Sequence, residues 1–186
     1  EEIALEGTAW TDGPRGRALL GTGGASGGVI PRPVQDDFTI ALWVRADEEG
    51  QGGNRDLRWF RGTGLVDGEV PGIVPDFGLS IVGRHVCVGV GEPETFIHSS
   101  APLTPGEWHH VAFTRHRESG RIEIWLDGAR VAEGRGGTQS LTAPEVLRIG
   151  RMQPGYGSLV GGLDDLRIYE RVLSAEEIVD LAIGGG

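Results

Sequence analysis

The sequence predicts an all-β fold: two stacked antiparallel sheets, as in a sandwich or jelly roll, with one short C-terminal helix. Three observations predict it. Apolar and polar residues alternate with period two in short segments along most of the chain. Gly, Pro, Asp and Asn separate those segments, and 33 of the 186 residues are Gly, as frequent tight turns require. Strands do not alternate with helical segments, so a parallel βαβ sheet is not indicated.

In chain order the alternation marks strands at 3–9, 17–21, 38–46, 57–61, 77–82, 85–90, 95–99, 108–116, 121–126, 146–151 and 163–170. Asp127-Gly128 joins 121–126 to a further strand at 129–133 and is the strongest short-range hairpin signal in the chain. Glu118-Ser119-Gly120 makes the turn before it. One helix follows Ser174, a good N-cap with Glu177 three residues on. Ile178, Leu181 and Ala182 form its apolar stripe, and the final Gly run stops it. Residues 47–75 have weak periodicity and read as a long loop holding one short strand, the kind of segment that carries function or covers something. Residues 1–183 are expected to form a single domain and 184–186 a Gly tail. Both ends read as those of a domain cut or processed from a longer protein.

Hydrophobic residues make up 38% of the chain and charged residues 24%, a globular composition. The formal net charge is -10, and every one of the 17 basic residues is Arg. Such a surface repels phosphate backbones, so nucleic acid is excluded as a partner. No apolar run approaches membrane-spanning length, so membrane insertion is not expected. Cys87 is the only cysteine, so no disulfide forms within the chain, and its alternating strand predicts a buried, inert thiol.

Three stretches carry a family resemblance. The first is Phe38-Thr39-Ile40-Ala41-Leu42-Trp43-Val44. The second runs from Gly106-Glu107-Trp108-His109-His110-Val111-Ala112-Phe113-Thr114 to Ile122-Glu123-Ile124-Trp125-Leu126-Asp127-Gly128. The third holds Leu147-Arg148-Ile149-Gly150, Leu163-Asp164-Asp165-Leu166-Arg167-Ile168-Tyr169 and Leu173-Ser174-Ala175-Glu176-Glu177-Ile178. Together they resemble the laminin-G-like, concanavalin A-like superfamily in the form common in bacterial extracellular proteins, over roughly Phe38 to Leu181. The resemblance implies a concanavalin A-like jelly roll and an extracellular or cell-surface location. It also implies a non-catalytic binding module, often with calcium. One departure is Leu20-Gly21-Thr22-Gly23-Gly24, which stands where the family has Phe-Asp-Gly and so lacks a carboxylate there.

Candidate site residues follow from these patterns. Alternation points Asp164 the same way as Leu166 and Ile168, into the core. A buried carboxylate must be paired, hydrogen-bonded or metal-bound. Asp164 is therefore either a Ca²⁺ ligand or an Asp satisfied by backbone amides and an arginine. Asp67, Glu69 and Asp76 lie in the long segment and could offer oxygens at a rim. Asp37 stands just before a strand and could do the same. Trp59, Trp125 and Tyr156 are candidate sugar-stacking platforms. Trp43 and Trp108 read as core residues. The five histidines show no metal-ligand spacing.

Glycoside hydrolases on this fold place carboxylates at alternate positions of one strand, E-x-D-x-E or E-x-D-x-x-E, so that acid and nucleophile share a face. No strand here has that pattern. Nucleophile elbows, P-loops and H-E-x-x-H are also missing. The expectation is a non-catalytic, carbohydrate-binding module of a larger secreted or cell-surface protein. A protein-interaction, adhesion or spacer domain is the alternative, and a glycoside hydrolase ranks below both.

Overall fold

A computed structural model of the chain describes residues 4–53 and 56–184. It contains fourteen strands and one α-helix among them. The strands are β1 (Ala4–Glu6), β2 (Ala9–Gly13), β3 (Gly16–Thr22), β4 (Gly27–Pro31), β5 (Phe38–Ala46), β6 (Thr63–Asp67) and β7 (Phe77–Val82). Then come β8 (His85–Val90), β9 (Thr95–His98), β10 (Trp108–His116), β11 (Arg121–Leu126), β12 (Ala129–Arg135), β13 (Val146–Ile149) and β14 (Val160–Tyr169). The helix, α1, spans Ala175–Ile183.

The strands form two seven-stranded antiparallel sheets. Sheet I runs β1-β4-β13-β6-β7-β8-β9 and sheet II runs β12-β11-β10-β5-β14-β3-β2. The predicted jelly-roll sandwich is therefore present. Its interior is built from the inward sets of each strand, as period two requires. Sheet II supplies Phe38, Ile40, Leu42, Val44, Val111, Phe113, Ile122 and Ile124; sheet I supplies Phe77, Leu79, Ile81, Val86, Val88 and Val90. Phe38 touches a ring in each sheet, Phe77 at 4.9 Å and Phe113 at 5.2 Å between centroids.

The capping box at α1 forms as its sequence predicts: the Ser174 hydroxyl accepts from the Glu177 amide, and the Glu177 carboxylate accepts from the Ser174 amide. The helix lies on the outer face of sheet II, where Ile178 and Leu173 pack on Ala41 and Ala112.

Four expectations fail on particular residues. The segment read as one strand at 3–9 is two, β1 and β2, broken at Gly7 with φ 56°; Ile3 lies outside the described residues. Residues 57–61 do not form a strand. Trp59–Arg61 is a single 3₁₀ turn. The strands β4 and β6 escape the pattern because Gly27, Gly28 and Gly64 carry no side chain and β6 spans only Thr63–Asp67. Trp43 and Trp108 are not in the sandwich interior. Both are half-buried on the outer face of sheet II, Trp43 against His110 and Arg15, Trp108 under Arg45 and flat on Gly162.

Candidate functional site

The outer face of sheet I positions most of the candidate residues. Register puts Arg148, Asp67, Gly78, Gly89 and Phe96 in one row across β13, β6, β7, β8 and β9. The cross-strand glycine pair Gly78 and Gly89 leaves a flat floor at mid-sheet. Trp59 lies on it so closely that a Cβ at either glycine would overlap the indole. Trp59 is 0% exposed. Its Nε1 donates to Glu94 Oε1 at 2.9 Å, and its carbonyl accepts from Ser80 Oγ at 2.7 Å. Trp59 therefore presents no face to a ligand, contrary to the sequence expectation. It anchors the β5–β6 connection to sheet I instead.

Tyr156 and Arg61, both partly buried, stack on one another beside it. The Arg61 guanidinium stacks 4.9 Å from the Tyr156 ring centroid, and its Nη1 donates to the Tyr156 hydroxyl at 3.0 Å. Phe60 flanks it, with Arg61 and Arg58 at 5.7 and 5.0 Å from its ring. Arg58 grips Asp56 through two hydrogen bonds and holds that carboxyl down to about 2. Arg61 Nε lies 3.8 Å from the same carboxylate, a longer ion pair than the 2.6 Å one of Arg58. The turn bearing Tyr156 is tied down by Met152 N–H to the Gly157 carbonyl and by Gly64 N–H to that same carbonyl.

An acidic group faces this stacked pair. Asp67 is 0% exposed; its carboxylate accepts from the Glu69 amide at 2.8 Å and from Arg148 Nη1 at 3.2 Å. Burial outweighs both and pushes it up to about 6. Glu69 is half-buried beside Gln153, Arg61 and Arg148; burial first, and Asp67 second, raise its pKa. Its Oε2 is shielded from water and has no partner. Asp76, 4% exposed, accepts from the Val70 amide at 2.9 Å, and burial pushes it up to about 7 with help from Glu94 and Glu69. Asp67, Glu69 and Asp76 lie near one another on sheet I, the first and last buried, with Tyr156 beside them.

The remaining candidates lie elsewhere. Asp164 does not point into the core. A bulge between Asp164 and Arg167, with Asp165 at φ 49°, breaks the alternation. Asp164 therefore sits on the outer face of sheet II opposite Trp43, and it accepts from the Arg15 amide at 2.7 Å. Trp125 is on that same outer face, partly buried among the residues under α1, and offers no open platform. Asp37 accepts from the Arg117 amide at the end of the sandwich. As they stand, Asp164, Asp76 and Asp37 lie in three separate places and make no common cation site. Among the described residues, no three His, Cys, Asp or Glu are grouped to hold a metal ion.

Asp37 lines an open cleft of about 940 Å³ where the β4–β5 connection meets the β10–β11 turn. This cleft is larger than the recess of about 660 Å³ beside Leu57 and His98 but chemically poorer. It has no aromatic lining, and its arginines are spent on the protein: Arg32 on the Pro144 and Val34 carbonyls, Arg117 on the Thr138 carbonyl. The site on sheet I combines a ring, a guanidinium and a half-buried carboxylate.

A family model described as the concanavalin A-like lectin/glucanases superfamily matches residues 22–179. The chain belongs to this superfamily. Among its relatives in the superfamily is the pentraxin-related protein PTX3 of Mus musculus, 28% identical over 166 residues, which are 82% of this chain and 41% of that protein. The chain thus spans less than half the length of that relative. Two solved lectin-like structures share the fold. Domain 4 of AbnA, a GH43 extracellular arabinanase from Geobacillus stearothermophilus, in complex with arabinotriose, superposes with TM-score 0.72 at 20% identity, over 97% of this chain and 87% of that one. The CBM40 of the Ruminococcus gnavus IT-sialidase bound to α2,3-sialyllactose gives TM-score 0.65 at 15% identity, over 88% and 96%. Both are binding domains of enzymes, and both were solved with a sugar.

Sequence reasoning missed Arg61, Phe60 and Gln153. A signal for the first two exists: Gly78 and Gly89 occupy outward positions of strands that otherwise read as ideal, and a glycine there marks close approach by another group. The neighbouring segment rich in aromatics, Trp59-Phe60-Arg61, was the group to expect.

Proposed function

We propose that this domain is a non-catalytic carbohydrate-binding module of a secreted or cell-surface protein, and that it binds its glycan over Tyr156, Arg61 and Glu69 on the outer face of sheet I. One observation carries the reading. The Arg61 guanidinium stands over the Tyr156 ring beside the half-buried Glu69 carboxylate, so a ring, donors and an acidic group lie together. Sugars present both apolar C–H faces and hydroxyls, and need a ring, a donor and an acceptor in one patch. The sugar-bound domains that share the fold support the ligand class. Tyr156→Ala and Arg61→Ala are each expected to weaken glycan binding by about tenfold or more, or roughly 1.4 kcal/mol, with an unchanged circular dichroism spectrum. Titration calorimetry on hits from a broad glycan array reads the effect. Clean negatives across the array, with calcium present, would overturn the proposal.

Binding in this reading does not pass through calcium. Thermal melts in millimolar calcium and in chelator are expected to agree; a midpoint raised by calcium would show that the folded state holds the ion and would add it to the site. A protein ligand is the second reading, favoured by Leu57 and Ile73, which are 55% and 89% exposed. Loss of partner binding on Leu57→Ala with glycan binding absent would select it.

A further inference from the structure

We infer that the site reads the end of a glycan, its terminal one or two sugars, and not a stretch within a long chain. The inference rests on the carbohydrate-binding reading and names its ligand class.

The outer face of a seven-stranded sheet is roughly 30 Å across, enough for a trough in which an extended polysaccharide could lie. Here that face is divided. The connection from β5 to β6 crosses it as a strap: Gly50 N–H donates to the Gly83 carbonyl at 2.7 Å, and Gln51 N–H to Thr63 Oγ1 at 3.1 Å. At mid-sheet the strap drives Trp59 onto the Gly78–Gly89 floor and raises Phe60 edge-on beside it, 5.7 Å between ring centroids. Trp59 packs with Val82, Cys87, Met152, Phe96 and Tyr156 in a cluster of its own outside the main core.

The result is a ridge with a short patch on either side. On the β6 side lie Tyr156, Arg61 and Glu69. On the β8–β9 side lies a recess of about 660 Å³ lined by Leu57, Val82, His85 and His98, among others. A chain running from one patch to the other would have to climb over the strap, which Trp59 anchors through its indole to Glu94 and through its backbone carbonyl to Ser80. The two glycines exist for that indole, since any side chain at Gly78 or Gly89 would collide with it. The division is therefore written into the strands as well as the strap. A ligand held on the β6 side contacts the protein with its terminal residues while the rest of its chain projects into solvent.

The test is a set of oligosaccharide ladders, arabino-, xylo-, cello- and galacturono-, from dimer to hexamer, with α2,3-sialyllactose as a short control, titrated against the whole chain. For the ladder that binds, the dissociation constant should change by less than about threefold from dimer to hexamer, and chemical capping of one chain end should abolish binding. A steady gain of about tenfold or more along the ladder, with indifference to capping at either end, would overturn the inference and leave the carbohydrate reading standing. Failure of every ladder, the control and the array would overturn both. Trp59→Ala, where it folds by circular dichroism, should acquire length dependence. A folded Trp59→Ala with the flat wild-type profile would count against the ridge as the cause. The wild-type ladder decides the matter if that variant does not fold.

Discussion

Burial sets the charge on the acidic rim. Asp76 and Asp67 titrate at about 7 and about 6 in the folded chain, against about 4 for a carboxylate in water. The folded state thus holds protons that the unfolded state has released. Stability contributed by the protonated forms is complete below about pH 4 and is lost as pH rises through about 7. Asp76→Asn keeps an oxygen for the Val70 amide and removes the charge. In chelator, its melting midpoint should match wild type near pH 4 and exceed it by several degrees at pH 8. A difference that is constant with pH would mean that Asp76 carries no such penalty. Residue-level identity also explains what the sequence hid about single groups. Asp164 alternates correctly only until Asp165 adopts positive φ, and an aspartate at φ > 0 cannot be told from one in an ordinary strand by period alone.

At the scale of elements, strands of six to nine residues rich in β-branched and aromatic residues were legible to the residue. β5, β7, β8, β10 and β11 begin and end where the alternation places them. The pattern fails where its physical premise fails. β6 is only five residues long and is interrupted by Gly64, so too little alternation shows, and it disappears into the long segment. Trp59–Arg61 imitates a strand because Trp, Phe and an apolar neighbour favour one; the contact with the Gly78–Gly89 floor overrides that propensity and winds it into a 3₁₀ turn. This contact makes a sharp prediction. Gly89→Ala places a methyl group inside the indole, and overpacking of this kind costs about 1–3 kcal/mol. Its melt should fall by several degrees, whereas Gly106→Ala, which meets nothing within 4 Å but has φ 78°, carries only the backbone cost. Equal losses at the two positions would remove the strap from its floor.

At the scale of the whole molecule, the sandwich was readable because it depends on local alternation summed over many strands. The site was readable only in part because it depends on sequence-distant pieces. Tyr156 and Arg61 are 95 residues apart, and Arg148 and Asp67 are 81 apart; only the sheet order β13-β6-β7 brings them together. No pattern in one chain segment announces that. Three candidates that looked alike in the sequence, Trp59, Trp125 and Tyr156, end as the anchor of the strap, a support under α1, and a half-buried ring stacked under Arg61. The central claim is the location of binding, and amide chemical-shift mapping tests it most directly. On titration with a glycan that binds, the perturbed amides should cluster around Arg61, Glu69, Gln153 and Tyr156. A cluster around Asp36, Asp37 and Arg117 in the end cleft, or around Trp43 and Trp108 on sheet II, would contradict it.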